Sequence, residues 1–164
     1  MRILPWLALA SLFWATACTR NSEAKPETPS TIRTKTQEDW TIQKPKTLAL
    51  TIGDASFIID LAATEAAREL SGRLPLRLEM AELNGNEKYA SLGSPLPAKA
   101  ENVRRIEAGD VMLWRSDCLV VFYKSFDTPY SYTRIGHIAD ARGLEKAVGK
   151  GDVRVFIHPQ ETKE

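Results

Sequence analysis

From Lys46 onward the chain alternates apolar and polar residues in short runs, and Gly, Pro or Asn closes most of them. Leu48, Leu50 and Ile52 stand two apart, and after Gly53-Asp54 the same period resumes at Phe57, Ile59 and Leu61. A period of two is a strand signal, because successive side chains leave a strand on opposite faces. Glycine in the link supplies the positive φ that a tight hairpin needs, so this stretch is a β-hairpin. Leu74, Leu76, Leu78 and Met80 give a further strand with one buried face, and Asn84-Gly85-Asn86 a turn. Val111 to Trp114 and Cys118 to Tyr123 are apolar on both faces. Such runs belong to central strands covered on each side.

Ser131 to Ile138 and the run carrying Val153, Val155 and Ile157 complete the strands, while Gly93 to Asn102, with Pro95 and Pro97, is a long loop. Two helices interrupt them. Thr64 is an N-cap for a stripe of Ala66, Ala67 and Leu70 that stops at Gly72; Asp140 caps a second helix, Ala141 to Val148, stopped by Gly149. The expectation is a mainly β fold, a closed barrel of about eight short strands with two short helices capping its ends. Closure is favoured because it removes the free strand edges that invite aggregation.

The residues before Lys46 read differently. Arg2 precedes an apolar run from Ile3 to Ala17, shorter than the ~20 residues a helix needs to cross a bilayer. A basic start, a short apolar core and small residues at its end form the signal-peptide pattern, here over residues 1–18. Ala15-Thr16-Ala17-Cys18 resembles a lipobox, with Ala15 where Leu is usual; in that reading Cys18 is lipidated and becomes the new N-terminus. The alternative is plain cleavage near Ala17. A doubly acylated cysteine would hold the chain on a membrane surface without a spanning helix. Thr19 after the cysteine, rather than Asp, favours an outer-membrane anchor facing the periplasm if the envelope is Gram-negative. Residues 19–45 carry Pro26, Pro29 and Pro45, many Ser and Thr, and few large apolar side chains, so they read as a flexible spacer. The domain then spans 46–159, with a polar tail at 160–164.

Composition matters mainly for what it excludes. Lys and Arg number 22 against 21 Asp and Glu, and loss of Arg2 with the signal would leave 21 against 21. A neutral chain lacks the surplus base with which proteins bind nucleic acid. Two cysteines and two well-separated histidines, His137 and His158, support neither a disulfide scaffold nor a metal site, and no cofactor is implied. Cys118, inside an apolar run, is expected to be a buried, inert thiol, and His137 to lack an acidic partner.

Several words of the sequence point further. Leu83-Asn84-Gly85-Asn86-Glu87-Lys88-Tyr89, Ala108-Gly109-Asp110-Val111-Met112-Leu113, Phe122-Tyr123-Lys124-Ser125-Phe126 and Pro129-Tyr130-Ser131-Tyr132-Thr133-Arg134-Ile135-Gly136 resemble the bacterial cyclophilin-like domain family, over about Lys46 to Pro159. The resemblance implies an eight-stranded cyclophilin-like barrel capped by helices, and no particular activity. Cyclophilins proper isomerise X-Pro bonds against a barrier of roughly 18–20 kcal/mol. They do so with an Arg in a Phe-His-Arg strand and a following Gln-Gly-Gly-Asp segment. Neither Phe-His-Arg nor any Gly-Gly occurs in this chain.

A substitute surface is written in Tyr130, Tyr132 and Arg134, which at i, i+2 and i+4 share one face of a strand. Aromatic walls beside a guanidinium suit a proline-containing peptide or an anionic ligand. Tyr89 and Phe126 are further candidate walls. The leading expectation is therefore a non-catalytic peptide- or small-ligand-binding module of the cell envelope. The runner-up is a peptidyl-prolyl isomerase with Arg134 as a relocated catalytic arginine, and a third reading is a protein-interaction subunit without a pocket.

Overall fold

The computed structural model describes residues 46–160. The signal segment, Cys18, the spacer and residues 161–164 lie outside the described residues. Eleven strands and two helices follow in order: β1 (Thr47–Ile52), β2 (Ala55–Leu61), α1 (Glu65–Ser71), β3 (Leu76–Leu83), β4 (Glu87–Ser91), β5 (Glu101–Asn102), β6 (Arg105–Ile106), β7 (Asp110–Trp114), β8 (Cys118–Phe122), β9 (Phe126–Asp127), β10 (Ser131–Ile138), α2 (Leu144–Val148) and β11 (Val153–Pro159).

Eight of these strands form a closed antiparallel barrel in the order β2-β1-β11-β3-β4-β8-β7-β10, and β10 returns to pair with β2. The seam is a close approach. A Cβ on Gly136 would stand 2.5 Å from the backbone oxygen of Asp60, so only glycine lets β10 lie against β2 here. Just before it, an extra residue in β10 between Arg134 and Gly136 shifts the register against β7. Such a bulge sharpens the local bend.

Alternation sorts the side chains as the sequence requires. Leu48, Leu50, Ile59, Met80, Val111, Leu113, Leu119, Val121, Ile135, Val155 and Ile157 fill the interior. Each fully buried aliphatic side chain contributes about 1.5–3 kcal/mol of transfer free energy. Helix α1 adds Leu70 and Ala66 to this cluster, and α2 adds Leu144 and Val148. Thr64 caps α1, its Oγ1 accepting from the Ala67 amide at 3.1 Å. The second helix departs from expectation: it spans only Leu144–Val148, with Gly143 at its N-cap position. Asp140 instead receives the Arg142 amide and guanidinium, at 3.2 and 2.7 Å, and stays in the preceding turn.

Strands β7 and β8 are buried on both faces, as their sequence demanded. Their outward residues Met112, Val120 and Phe122 join Ile106 and Tyr132 in a second apolar cluster outside the barrel. The ribbon of β6 paired with β9 lies over part of it, contributing Ile106 and Phe126. Strand β4 was not legible as a strand, because its two leading residues are charged.

Candidate functional site: an aromatic recess with a buried carboxylate

Where the β6–β9 ribbon ends, the outer cluster is left uncovered and forms a recess of about 390 Å³. Its wall is built from strands distant in sequence. From β4 come Glu87 and Tyr89, set opposite Phe122 and Val120 of β8. Trp114 ends β7, Cys118 begins β8, Phe126 sits on β9, and Tyr130 and Tyr132 stand before and within β10. Leu83, Asn84 and Asn86 of the β3–β4 turn form the rim. The rings hold one another in place. Trp114 meets Tyr130 edge-on at 5.4 Å and Tyr132 at 5.3 Å, and Phe122 meets Phe126 at 5.7 Å and Tyr132 at 5.5 Å. Edge and tilted contacts at these separations each add about 0.5–1.5 kcal/mol beyond burial. Tyr132 is buried in the wall, while Tyr130 is 58% exposed at the mouth.

Tyr89, Phe126, Tyr130 and Tyr132 thus come together in one recess. Arg134 does not join them. It points outward with Met112 but lies further along β10, where it lines a separate depression of about 350 Å³ with Thr64, Glu65, Pro97 and Lys99. Tyr132 borders both depressions. The Arg134 guanidinium is exposed and makes no hydrogen bond or ion pair among the described residues.

Two residues that sequence reasoning missed are Trp114 and Glu87. Glu87 is the more consequential. Only 8% of it is exposed, it borders the recess, and its carboxylate has no hydrogen-bond or ionic partner among the described residues. Burial, and then the charge of Glu82, push its carboxyl up to about 7. The signal that could have found it is its position: Glu87 and Tyr89 have the same parity on β4, so a carboxylate beside an outward tyrosine faces the same surface.

The neighbouring charges are already spoken for. Lys88, of opposite parity, is fully buried and points inward. Its ammonium donates to Glu82 Oε2, to the Gly149 carbonyl at 3.0 Å and to the Gly151 carbonyl at 2.7 Å. Tyr123 Oη also donates to Glu82, at 2.8 Å. Burial raises the Glu82 carboxyl, but these donors outweigh it and leave its pKa below the ordinary value.

The other titratable groups of the wall offer no nucleophile. Cys118 is half-buried rather than buried, and it borders the recess. Burial, then Asp117 and Glu87, raise its thiol pKa, which keeps it protonated. Burial and then Glu87 push the Tyr132 phenol up to about 12. His137, contrary to expectation, does have an acidic partner. Its Nδ1 lies 2.9 Å from Oδ1 of buried Asp110, whose Oδ2 accepts from the Glu107 amide at 2.9 Å. Ser125 nearby donates to Glu107 at 2.8 Å rather than to His137, so these groups pin the turn before β7. Among the described residues no three His, Cys, Asp or Glu side chains converge on a metal position.

The chain matches the Cyclophilin-like family over residues 50–158. No curated protein matches it. Among solved structures it is similar to McbB in complex with tryptophan, at 17% identity and a TM-score of 0.53. That alignment covers 71% of this chain but 46% of McbB, so the chain spans less than half of that protein. It is also similar to the hypothetical protein AF2241 from Archaeoglobus fulgidus, at 20% identity and a TM-score of 0.47, covering 71% of this chain and 96% of the other. The likeness to McbB is one of fold alone. The family match takes in all but the ends of a barrel that closes β10 onto β2, and the chain belongs to the cyclophilin-like family.

Proposed function

We propose that this protein is a non-catalytic binding module of the cell envelope. Cys18 anchors it by lipid, residues 19–45 hold the barrel away from the membrane, and the recess takes a peptide side chain or small ligand between Tyr89, Phe126, Tyr130 and Tyr132. The observation that carries this reading is the recess itself: an open aromatic hollow on a rigid barrel wall, with Tyr130 exposed at its mouth. Convergent rings with a few polar groups are the usual composition of ligand sites. The placement of Arg134 weighs against a relocated isomerase. That chemistry needs a guanidinium over the same hollow that grips the proline ring, and Arg134 borders a different one.

Two experiments test the proposal. In a protease-free assay on a prolyl peptide, the wild type is expected to give no acceleration; acceleration lost in Arg134→Ala, with folding intact, would make the isomerase reading the better one. For the anchor, palmitate labelling is expected in cells and lost in Cys18→Ser. Mature protein found free of lipid would remove the anchor.

A further inference from the structure

Glu87 poses a problem that the aromatic recess alone does not answer. Glu87 is largely covered, but its carboxylate oxygens still touch solvent, and a ligand filling the recess would take that water away, which is costly unless the ligand compensates the charge. Two cations near it along the paired strands, Lys88 beside it and Lys124 just past its β8 partner Phe122, are committed elsewhere. Lys88 is inside the barrel on Glu82 and two carbonyls, and Lys124 pairs with Glu145 at 3.1 Å. Among the described residues the recess wall holds no Lys, Arg or His. Asn86 also borders the recess, and its Oδ1 is buried without a donor. The remaining wall is aromatic, and aromatic faces attract cations through the ring quadrupole. One carboxylate and several rings, with no positive side chain among the described lining residues, form a site complementary to an organic cation that carries N–H groups.

Resting on the proposal that this recess is the binding site, we infer that its ligand presents an ammonium group with at least one N–H, which meets the Glu87 carboxylate while its attached methylenes pack against Tyr89, Trp114, Tyr130 and Tyr132. The group belongs either to a free alkylamine or to a lysine side chain of a partner peptide; the chemistry is the same. An anionic or neutral ligand would leave the buried acid uncompensated. A cation supplies what the fold withholds.

The test uses the full chain at pH 8 and two matched pairs of probes. One pair is n-pentylammonium and pentan-1-ol. The other is the N-acetyl, N-methylamide derivatives of lysine and of norleucine. Binding is read from chemical-shift changes of the Trp114 indole N–H and the Tyr89 and Tyr130 amides. The cationic member of at least one pair should bind about tenfold or more tightly than its neutral partner. Which pair shows the larger ratio separates a free amine from a lysine side chain. In Glu87→Gln the ratio should fall below about threefold while the neutral probes bind as before. In Tyr130→Ala, altered at the exposed mouth, both members of a pair should weaken. Equal binding of charged and neutral probes to the wild type would overturn the inference and leave the recess a ligand site of another kind. If none of the four probes shifts the recess signals at millimolar concentration, both the inference and the recess reading fall.

Discussion

Glu82 and Glu87 stand on neighbouring strands of one hairpin, and the fold treats them in opposite ways. Glu82 receives the Lys88 ammonium, the Tyr123 hydroxyl and the Gly85 amide, the last at 2.8 Å. It closes a polar knot in which buried Lys88 also ties down the carbonyls of Gly149 and Gly151, just beyond α2. Glu87 is the less exposed of the two acids yet has no partner among the described residues. Parity explains the split. Lys88 points into the barrel, where the Glu82 carboxylate reaches it, and Glu87, one residue earlier, points out among aromatic rings. The first acid holds the structure together. The second costs stability where it stands, and a fold retains such a cost chiefly at sites that use it.

The largest effect should come from breaking the satisfied acid. Lys88→Met leaves Glu82 and two carbonyls short of their donor in a confined space. Removing one member of a buried pair is strongly destabilising, and about 3 kcal/mol is expected here, measured by urea unfolding. A loss under about 1 kcal/mol would mean that the knot is as dispensable as a surface pair.

Glu87→Gln should move stability the other way, and only at higher pH. The carboxyl titrates near 4.5 in the unfolded chain and at about 7 in the folded one. The native state therefore holds its proton across that interval while the unfolded state releases it, so stability falls as pH rises from about 4.5 to about 7 and is then level. A gap of this size corresponds to roughly 3 kcal/mol if fully expressed. Gln removes the penalty. The carboxyl keeps some solvent contact, which screens part of that penalty, so the variant should be about 2 kcal/mol more stable than wild type at pH 8 and nearly equal to it at pH 4.5. A variant less stable at pH 8 would show that Glu87 is compensated after all, and the contrast between the two acids would disappear.

A smaller effect tests the satisfied side again. Tyr123→Phe keeps the ring and removes one donor to the Glu82 carboxylate. About 1–2 kcal/mol should be lost, less than for Lys88→Met because the ammonium remains. A loss as large as that of Lys88→Met would move the centre of the knot to the hydroxyl.

The comparison also shows what the sequence could and could not say. The closed barrel was legible because its interior strands keep a strict period of two, as at Leu48, Leu50 and Ile52, and because Gly or Asn marks the turns. Strand β4 was hidden for the same reason that makes it informative: Glu87 and Lys88 put charge at positions that pattern reading reserves for apolar residues. Four of the five candidate ligand residues do border one recess, but their assembly depends on β4, β9 and β10 meeting, and pairing between distant strands is not written in local spacing. Arg134 was placed with Tyr130 on parity, which is correct as to face. Distance was the missing quantity: four residues of strand rise about 13 Å, enough to carry Arg134 past the hollow. The apolar run Val111 to Trp114 points to core, but Trp114 stands at its end, is only partly buried and borders the recess. The partner of His137 is Asp110, on the next strand, and only the β7–β10 register brings them together.

The smallest predicted effect probes how near Glu87 lies to the Cys118 thiol of the recess. Three influences raise the Cys118 pKa, in the order burial, Asp117 and Glu87. Glu87→Gln removes only the last, so the thiolate fraction at pH 8 should rise modestly. Alkylation by iodoacetamide follows that fraction, and its rate at Cys118, read by mass spectrometry of the Cys118 peptide, should increase about two- to threefold. Asp117→Asn should raise it by at least as much, since Asp117 ranks ahead. An unchanged rate in Glu87→Gln would mean that the Glu87 charge does not reach the interior of the hollow, and the buried acid would then have to be explained by something other than a ligand placed among those rings.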